Sequence, residues 1–123
     1  MALSDPRMTA SAIVVQGRFA DVGTADSEYF VAPEAGYVKE IHVVRDVALS
    51  TGVNELTLVT DAGTVAQAMV MLTGGAPGDV DSFELAKDEA NNTLVAGAGF
   101  QIDTDGLGSG AGSVSLLVVI ELY

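Results

Sequence analysis

Few residues in this chain have the type and spacing to do chemistry. The one histidine, His42, lies within an alternating stretch from Tyr37 to Ala48, on the parity opposite Ile41 and Val43. An imidazole titrates near neutral pH and can serve as a base or a metal ligand. With no cysteine and no second histidine in the chain, His42 is expected to be a packed or surface residue of a strand. The absence of cysteine also removes a thiolate nucleophile, a sulfur ligand for zinc or iron, and any disulfide framework. Ser50 and Ser109 fall in loops without the Gly-x-Ser-x-Gly elbow that presents a nucleophile. No hydrolase is recognisable.

Two carboxylate pairs are the remaining candidates. Asp79 and Asp81 in GDVDS, and Asp103 and Asp105 in DTDG, each place two acids on one side of an extended segment. There they could share a hard cation such as calcium. An EF-hand loop needs further oxygens at fixed positions, which these runs lack, so the expected role is capping of turns through backbone N–H groups. The run GLGSGAG lacks the Lys-Ser/Thr ending of a phosphate loop and opens no helix. Three Tyr, four Phe and no Trp make a poor stacking platform for sugars or bases. The chain is read as a non-enzyme with no metal and no cofactor.

Strands must position whatever these groups do. Ser113 to Tyr123 places Val114, Leu116, Val118, Ile120 and Leu122 on one face, and Ser113, Ser115, Leu117, Val119, Glu121 and Tyr123 on the other. The first face is core. The second is half apolar, as suits a strand that meets another sheet or another chain. Ser11 to Ala20 alternates Ile13, Val15 and Phe19 against Gln16 and Arg18, and Glu28 to Ala32 is short and aromatic. Tyr37 to Ala48 carries Tyr37, Ile41, Val43 and Val47 on one parity. Further strands are predicted over Glu55 to Thr60, Thr64 to Leu72, Val80 to Leu85 and Gly99 to Thr104. Glycine- and proline-bearing turns separate them, among them Pro33 to Gly36, which is expected to fix the register between its two flanking strands, and Asp61 to Gly63, which is expected to close a hairpin. Only Phe83 to Asn91 could hold a helical turn. The prediction is an all-β fold, a single-domain β-sandwich or barrel of jelly-roll or Greek-key topology over residues 11–123. Residues 1–10 are expected to form a flexible N-terminal arm, and Gly106 to Gly112 a mobile hairpin loop.

Charge narrows the partners. Five Lys and Arg stand against seventeen Asp and Glu, a formal net charge of −12. The five are Arg7, Arg18, Lys39, Arg45 and Lys87, spread without a cluster. Nucleic acids and anionic membranes bind through basic patches, so neither is an expected partner. The first eight residues lack the charged-then-apolar pattern of a signal peptide, and no stretch approaches the ~18 apolar residues of a membrane span. The chain is therefore expected to be made and used in solution.

The order YFVAPEAGYVKEIHVV, ALSTGVNELTLVTDAGTVA, GGAPGDVDSFEL, NNTLVAGAGFQIDTDG and GSVSLLVVIEL, over residues 28 to 122, resembles the small head decoration, or cement, proteins of tailed bacteriophages. That resemblance implies a non-enzymatic virion protein on the outer surface of a capsid, assembled in the bacterial cytoplasm. It further implies a homotrimer that binds between subunits of the major capsid protein and clamps the shell. The contact candidates are Pro6, Arg7 and Met8 in the arm, together with Arg18, Lys39 and Arg45 where these face acidic shell surface. A receptor- or glycan-binding tip domain of a phage tail or fibre is the alternative, disfavoured by the sparse aromatics. A cupin-like barrel enzyme would need clustered histidine ligands, which one histidine does not supply.

Overall fold

Alternating apolar residues build the strands, and the pairing between strands decides which face each residue takes. The structure, a computed structural model, describes residues 12–47, 54–67, 69–71, 76–105 and 112–123. The arm, Ser50, Ser109 and residues 106–111 of the glycine-rich loop lie outside the described residues. The strands, in chain order, are β1 Ala12–Phe19, β2 Asp26–Val31, β3 Gly36–Arg45, β4 Asn54–Thr60, β5 Gly63–Thr64, β6 Met69–Met71, β7 Val80–Glu84, β8 Gly99–Thr104 and β9 Val114–Leu122. No helix occurs among the described residues.

Two antiparallel sheets face each other, one ordered β1-β9-β3-β7 and the other β2-β8-β4-β5, with β6 also on β4. Leu56 pairs with both Met69 and Thr104, and Val59 with both Thr64 and Gln101. Strands β5 and β6 therefore share the edge of β4 opposite β8 and act as one interrupted strand. Counted so, the strand order of the two sheets is that of a jelly roll. The fold is a sandwich and not a closed barrel.

The core lies between the inner faces. Ile41, Val43, Leu116, Val118 and Ile120 from one sheet meet Leu56, Leu58, Met69, Met71, Phe100 and Ile102 from the other, all buried. The Phe30 and Phe100 rings stack at 5.1 Å. Each fully buried side chain of this size contributes roughly 1.5–3 kcal/mol, and in a chain without cysteine this packing replaces cross-links.

Side-chain to backbone hydrogen bonds cross both lateral seams of the sandwich. Glu28 on β2 accepts the edge N–H of Arg18 on β1 at 2.7 Å, and the Gln67 amide donates to the Glu84 carbonyl on the edge of β7 at 2.7 Å. Both contacts engage backbone groups that would otherwise invite strand addition.

The structure corrects four readings of the sequence. The Pro33 to Gly36 turn does not set a register, because β2 and β3 belong to different sheets; the turn carries the chain across the sandwich. Gly36 is needed for a close approach, since a Cβ there would overlap the Glu121 carbonyl oxygen of the neighbouring β9. Tyr37 does not share a face with Ile41 and Val43. The β3–β9 register slips between Val119 and Ile120, pairing Glu40 with Val119 and Val38 with Ile120. Lys39 is therefore the extra residue of a bulge, and the bulge reverses the parity of everything before it. Tyr37 lies opposite Glu121 and stacks on Tyr123 at 6.3 Å. The 83–91 segment holds no helical turn: β7 runs to Glu84, and tight turns follow in which Glu89 N–H donates to Ala86 O and Asn92 N–H to Glu89 O. Finally, the strand predicted over Thr64 to Leu72 is split into β5 and β6. The hairpin through Asp61 and Ala62 stands as expected, pairing Thr60 with Gly63.

Candidate functional site

The groups that could do chemistry are engaged with one another. His42 lies on the outer face of the four-stranded sheet, opposite Leu117 on one side and Ser82 on the other. Its Nε2 is 2.8 Å from Glu40 Oε1 and its Nδ1 is 2.8 Å from Ser82 Oγ. Because a carboxylate only accepts, the neutral ring donates from Nε2 to Glu40 and accepts at Nδ1 from the Ser82 hydroxyl. Sequence reasoning missed this chain of serine, histidine and carboxylate, because it exists only through the β3–β7 register. Its order is that of a nucleophilic triad. It stands on open sheet surface, whereas the depressions beside Tyr29 lie on the other sheet. We read it as a cross-strand polar ladder.

The carboxylate pairs are likewise occupied. Asp79 accepts the Ala76 N–H at 2.8 Å, and Asp81 binds Arg45 at 2.7 Å. Asp103 Oδ1 accepts from the Ser27 hydroxyl at 2.6 Å and the Gln101 amide at 2.8 Å, and Asp105 accepts the Glu55 N–H at 3.1 Å. Asp79 and Asp105 accept backbone N–H groups as expected, whereas Asp81 is taken by an ion pair and Asp103 by two side-chain donors; no group of three or more metal-binding side chains occurs among the described residues.

The cations expected to face a partner are placed differently from one another. Arg45 is buried at the end of β3, 5% exposed, in an ion pair with Asp81. It is therefore not an exposed cation: its parity matches Ile41 and Val43, and the Asp81 carboxylate on the neighbouring strand helps a guanidinium sit there. Arg18 is exposed on the outer face and pairs with Asp46 at 3.0 Å, while Lys39 reaches Glu121 at 3.2 Å. The hydrogen bond and charge of Glu121 raise the Lys39 pKa above its ordinary value. The structure does not bring these cations into one patch. Pro6, Arg7 and Met8 lie outside the described residues.

The outer face of the four-stranded sheet instead carries a continuous apolar diagonal. Register places Val80 beside Val44 on β7 and β3, Leu117 next along β9, then Val119 beside Val14 on β1. Val80 and Val14 are 53% and 54% exposed, and the three between them are half-buried. Polar side chains flank the stripe, His42, Glu40 and Glu84 on one side and Arg18, Gln16 and Ser115 on the other. Nothing in the described chain covers it.

The sequence matches no family model and no curated protein. Solved structures match the fold. A family 35 carbohydrate-binding module from Clostridium thermocellum aligns with a TM-score of 0.52 at 12% identity, over 93% of this chain and 100% of that one. A chitosan-binding module of a chitosanase/glucanase from Paenibacillus sp. IK-5 aligns at 0.44 and 13% identity, over 85% of this chain and 74% of that one. The coat protein of Tobacco streak virus aligns at 0.41 and 11% identity, over 92% of this chain and 88% of that one. At these identities the likeness is one of architecture. The chain is a β-sandwich, an architecture it shares with the family 35 module.

Proposed function

We propose that this chain is a non-enzymatic structural protein that decorates and cements a bacteriophage capsid. It docks as a homotrimer on the outer surface, between subunits of the major capsid protein, after synthesis in the bacterial cytoplasm. The observation that carries this reading is the apolar diagonal Val80, Val44, Leu117, Val119 and Val14. It crosses all four strands of one sheet, has none of the described residues over it, and is rimmed by polar groups, the pattern of an interaction surface. The sequence resemblance over residues 28–122 supplies the kind of partner. The acidity of the chain supports a protein partner over nucleic acid or membrane.

Cementing follows from mass action. A ligand that binds only the mature shell stabilises it by RT ln(1 + [L]/Kd) at each site, and many sites repeat the effect over the particle. A rigid sandwich suits this role because little conformational entropy is lost when it docks. Pro6, Arg7 and Met8 supply further contacts to the shell. The test is co-sedimentation of the purified chain with capsids stripped of it. Leu117→Arg should abolish binding while leaving the thermal unfolding of the free chain unchanged, and undiminished binding would count against the stripe as the docking face.

A further inference from the structure

The opposite sheet presents a second surface, with a different chemistry. On its outer face Tyr29 is 72% exposed and Val31 61% exposed. The register sets Tyr29 beside Gln101, Ser27 beside Asp103, and Val31 beside Gly99, where no side chain rises to cover the valine. Two shallow depressions adjoin the Tyr29 ring: one is bounded by Asp26, Ser27 and Asp103, the other by Val31, Val59 and Asp61. The ring therefore stands between two depressions whose linings include aspartates, Asp26 and Asp103 in one and Asp61 in the other.

No cation of the described chain serves this face. Arg18 is taken by Asp46, Lys39 by Glu121 and Arg45 by Asp81, all from the other sheet, and Lys87 lies 5.7 Å over the Tyr123 ring. An exposed phenol ring attracts an ammonium or guanidinium group through its π face, and the flanking carboxylates add charge-assisted hydrogen bonds. A neutral apolar partner would have to desolvate Asp26 and Asp61 without return. An acidic partner would be repelled.

We infer that the Tyr29 face docks a basic segment of another protein, with a lysine or arginine side chain laid against the Tyr29 ring between Asp26 and Asp103. The surface is distinct from the apolar stripe and lies on the opposite side of the sandwich. Under the decoration reading it would let one copy contact two neighbours, but the docking itself does not depend on that reading.

The test uses the full-length chain and a defined probe. Isotope-labelled protein is titrated with the peptide Gly-Arg-Gly-Arg-Gly-Arg, and separately with the same peptide carrying citrulline, the neutral isostere, in place of arginine. Amide shifts should be confined to residues 26–31 and 99–104. The citrulline peptide should bind about tenfold more weakly or worse, as expected when charge-assisted contacts are lost. Tyr29→Ala should weaken arginine-peptide binding about fivefold, the upper range for an exposed cation–π contact. Asp26→Asn should weaken it and flatten its salt dependence, while Leu117→Arg should leave it unchanged. Equal binding of both peptides, binding unaffected by Tyr29→Ala, or shifts scattered over the surface would overturn the inference. So would the same shifts with a neutral oligosaccharide. If Arg7→Gln in the peptide-free chain moves the resonances of residues 26–31, the chain's own arm occupies the face and the inference also fails.

Discussion

The side chain of Asn92 pairs with the backbone of Val38 as a strand would. Its Oδ1 accepts the Val38 N–H at 3.0 Å, and its Nδ2 donates to the Val38 carbonyl at 2.9 Å and to the Ala86 carbonyl at 3.1 Å. Strand β7 pairs with β3 only from Glu40 onward. Just before that point, the fully buried amide of Asn92 fills the gap in the ladder and ties the 86–92 turns to the sheet. Asn92→Leu would strand two backbone groups away from water, at about 1–3 kcal/mol each. Urea unfolding should report a loss of about 2–6 kcal/mol; a change within the ~0.5 kcal/mol of an ordinary surface substitution would contradict the pairing.

Gly36→Ala should be among the most damaging single-methyl additions in the chain. The new carbon meets the Glu121 carbonyl, a ladder atom that cannot move without breaking the β3–β9 pairing. Overpacking of this kind costs about 1–3 kcal/mol or more. Gly97→Ala meets nothing within 4 Å and is strained only by its positive φ of 79°. Thermal melts of the two variants should therefore differ, with Gly36→Ala the lower.

The Arg45–Asp81 pair predicts asymmetric losses. Asp81→Ala leaves a buried guanidinium without its nearest carboxylate and should cost about 3 kcal/mol or more. The double variant Arg45→Met, Asp81→Ala should recover a large part of that loss, because an apolar pair removes the desolvation penalty along with the attraction. A double-mutant cycle measures the coupling directly.

The two limbs of the pH–stability curve should separate. Asp21 is held below the ordinary carboxyl value of 3.8 chiefly by the Gly23 N–H, opposed by partial burial and aided by the Gly112 N–H and the Thr24 hydroxyl. A depressed folded value gives stability that is present above the unfolded value and lost as pH falls through the folded one, so Asp21→Asn should shallow the acid limb. Lys39 is raised above 10.5, first by its hydrogen bond to Glu121. That contribution is present below the unfolded value and lost as pH rises through the folded one, so Lys39→Met should flatten only the alkaline limb.

The Ser82–His42–Glu40 ladder gives a direct check on the non-enzymatic reading. A fluorophosphonate probe, which labels activated serines, should leave Ser82 unmodified at neutral pH. Labelling at Ser82 that is lost in His42→Ala would show an activated nucleophile.

Much of the fold is legible in the sequence, because alternation in β1, β8 and β9 states both strand and facing. The Asp61–Ala62 connection likewise states its hairpin. What stays hidden depends on pairing between distant segments. A one-residue bulge at Lys39 leaves no mark in composition, yet it turns Tyr37 to the other face. Asn92 looks like a loop residue, and Arg45 like a surface cation, until Val38 and Asp81 are brought beside them. The candidate faces follow the same rule. Leu117 and Val119 read as a second apolar face of β9, but the stripe needed Val14, Val44 and Val80 to arrive from three other strands. Tyr29 became prominent only when Gly99 was placed next to Val31.

The most direct measurement is the number of copies of this chain on the phage particle to which the proposal assigns it, by quantitative mass spectrometry or cryo-electron microscopy. A capsid-cementing protein should be present at many sites over the shell, in a fixed ratio to the major capsid protein and in threefold clusters. A handful of copies confined to the tail or a fibre would contradict the account and favour a receptor-binding tip domain.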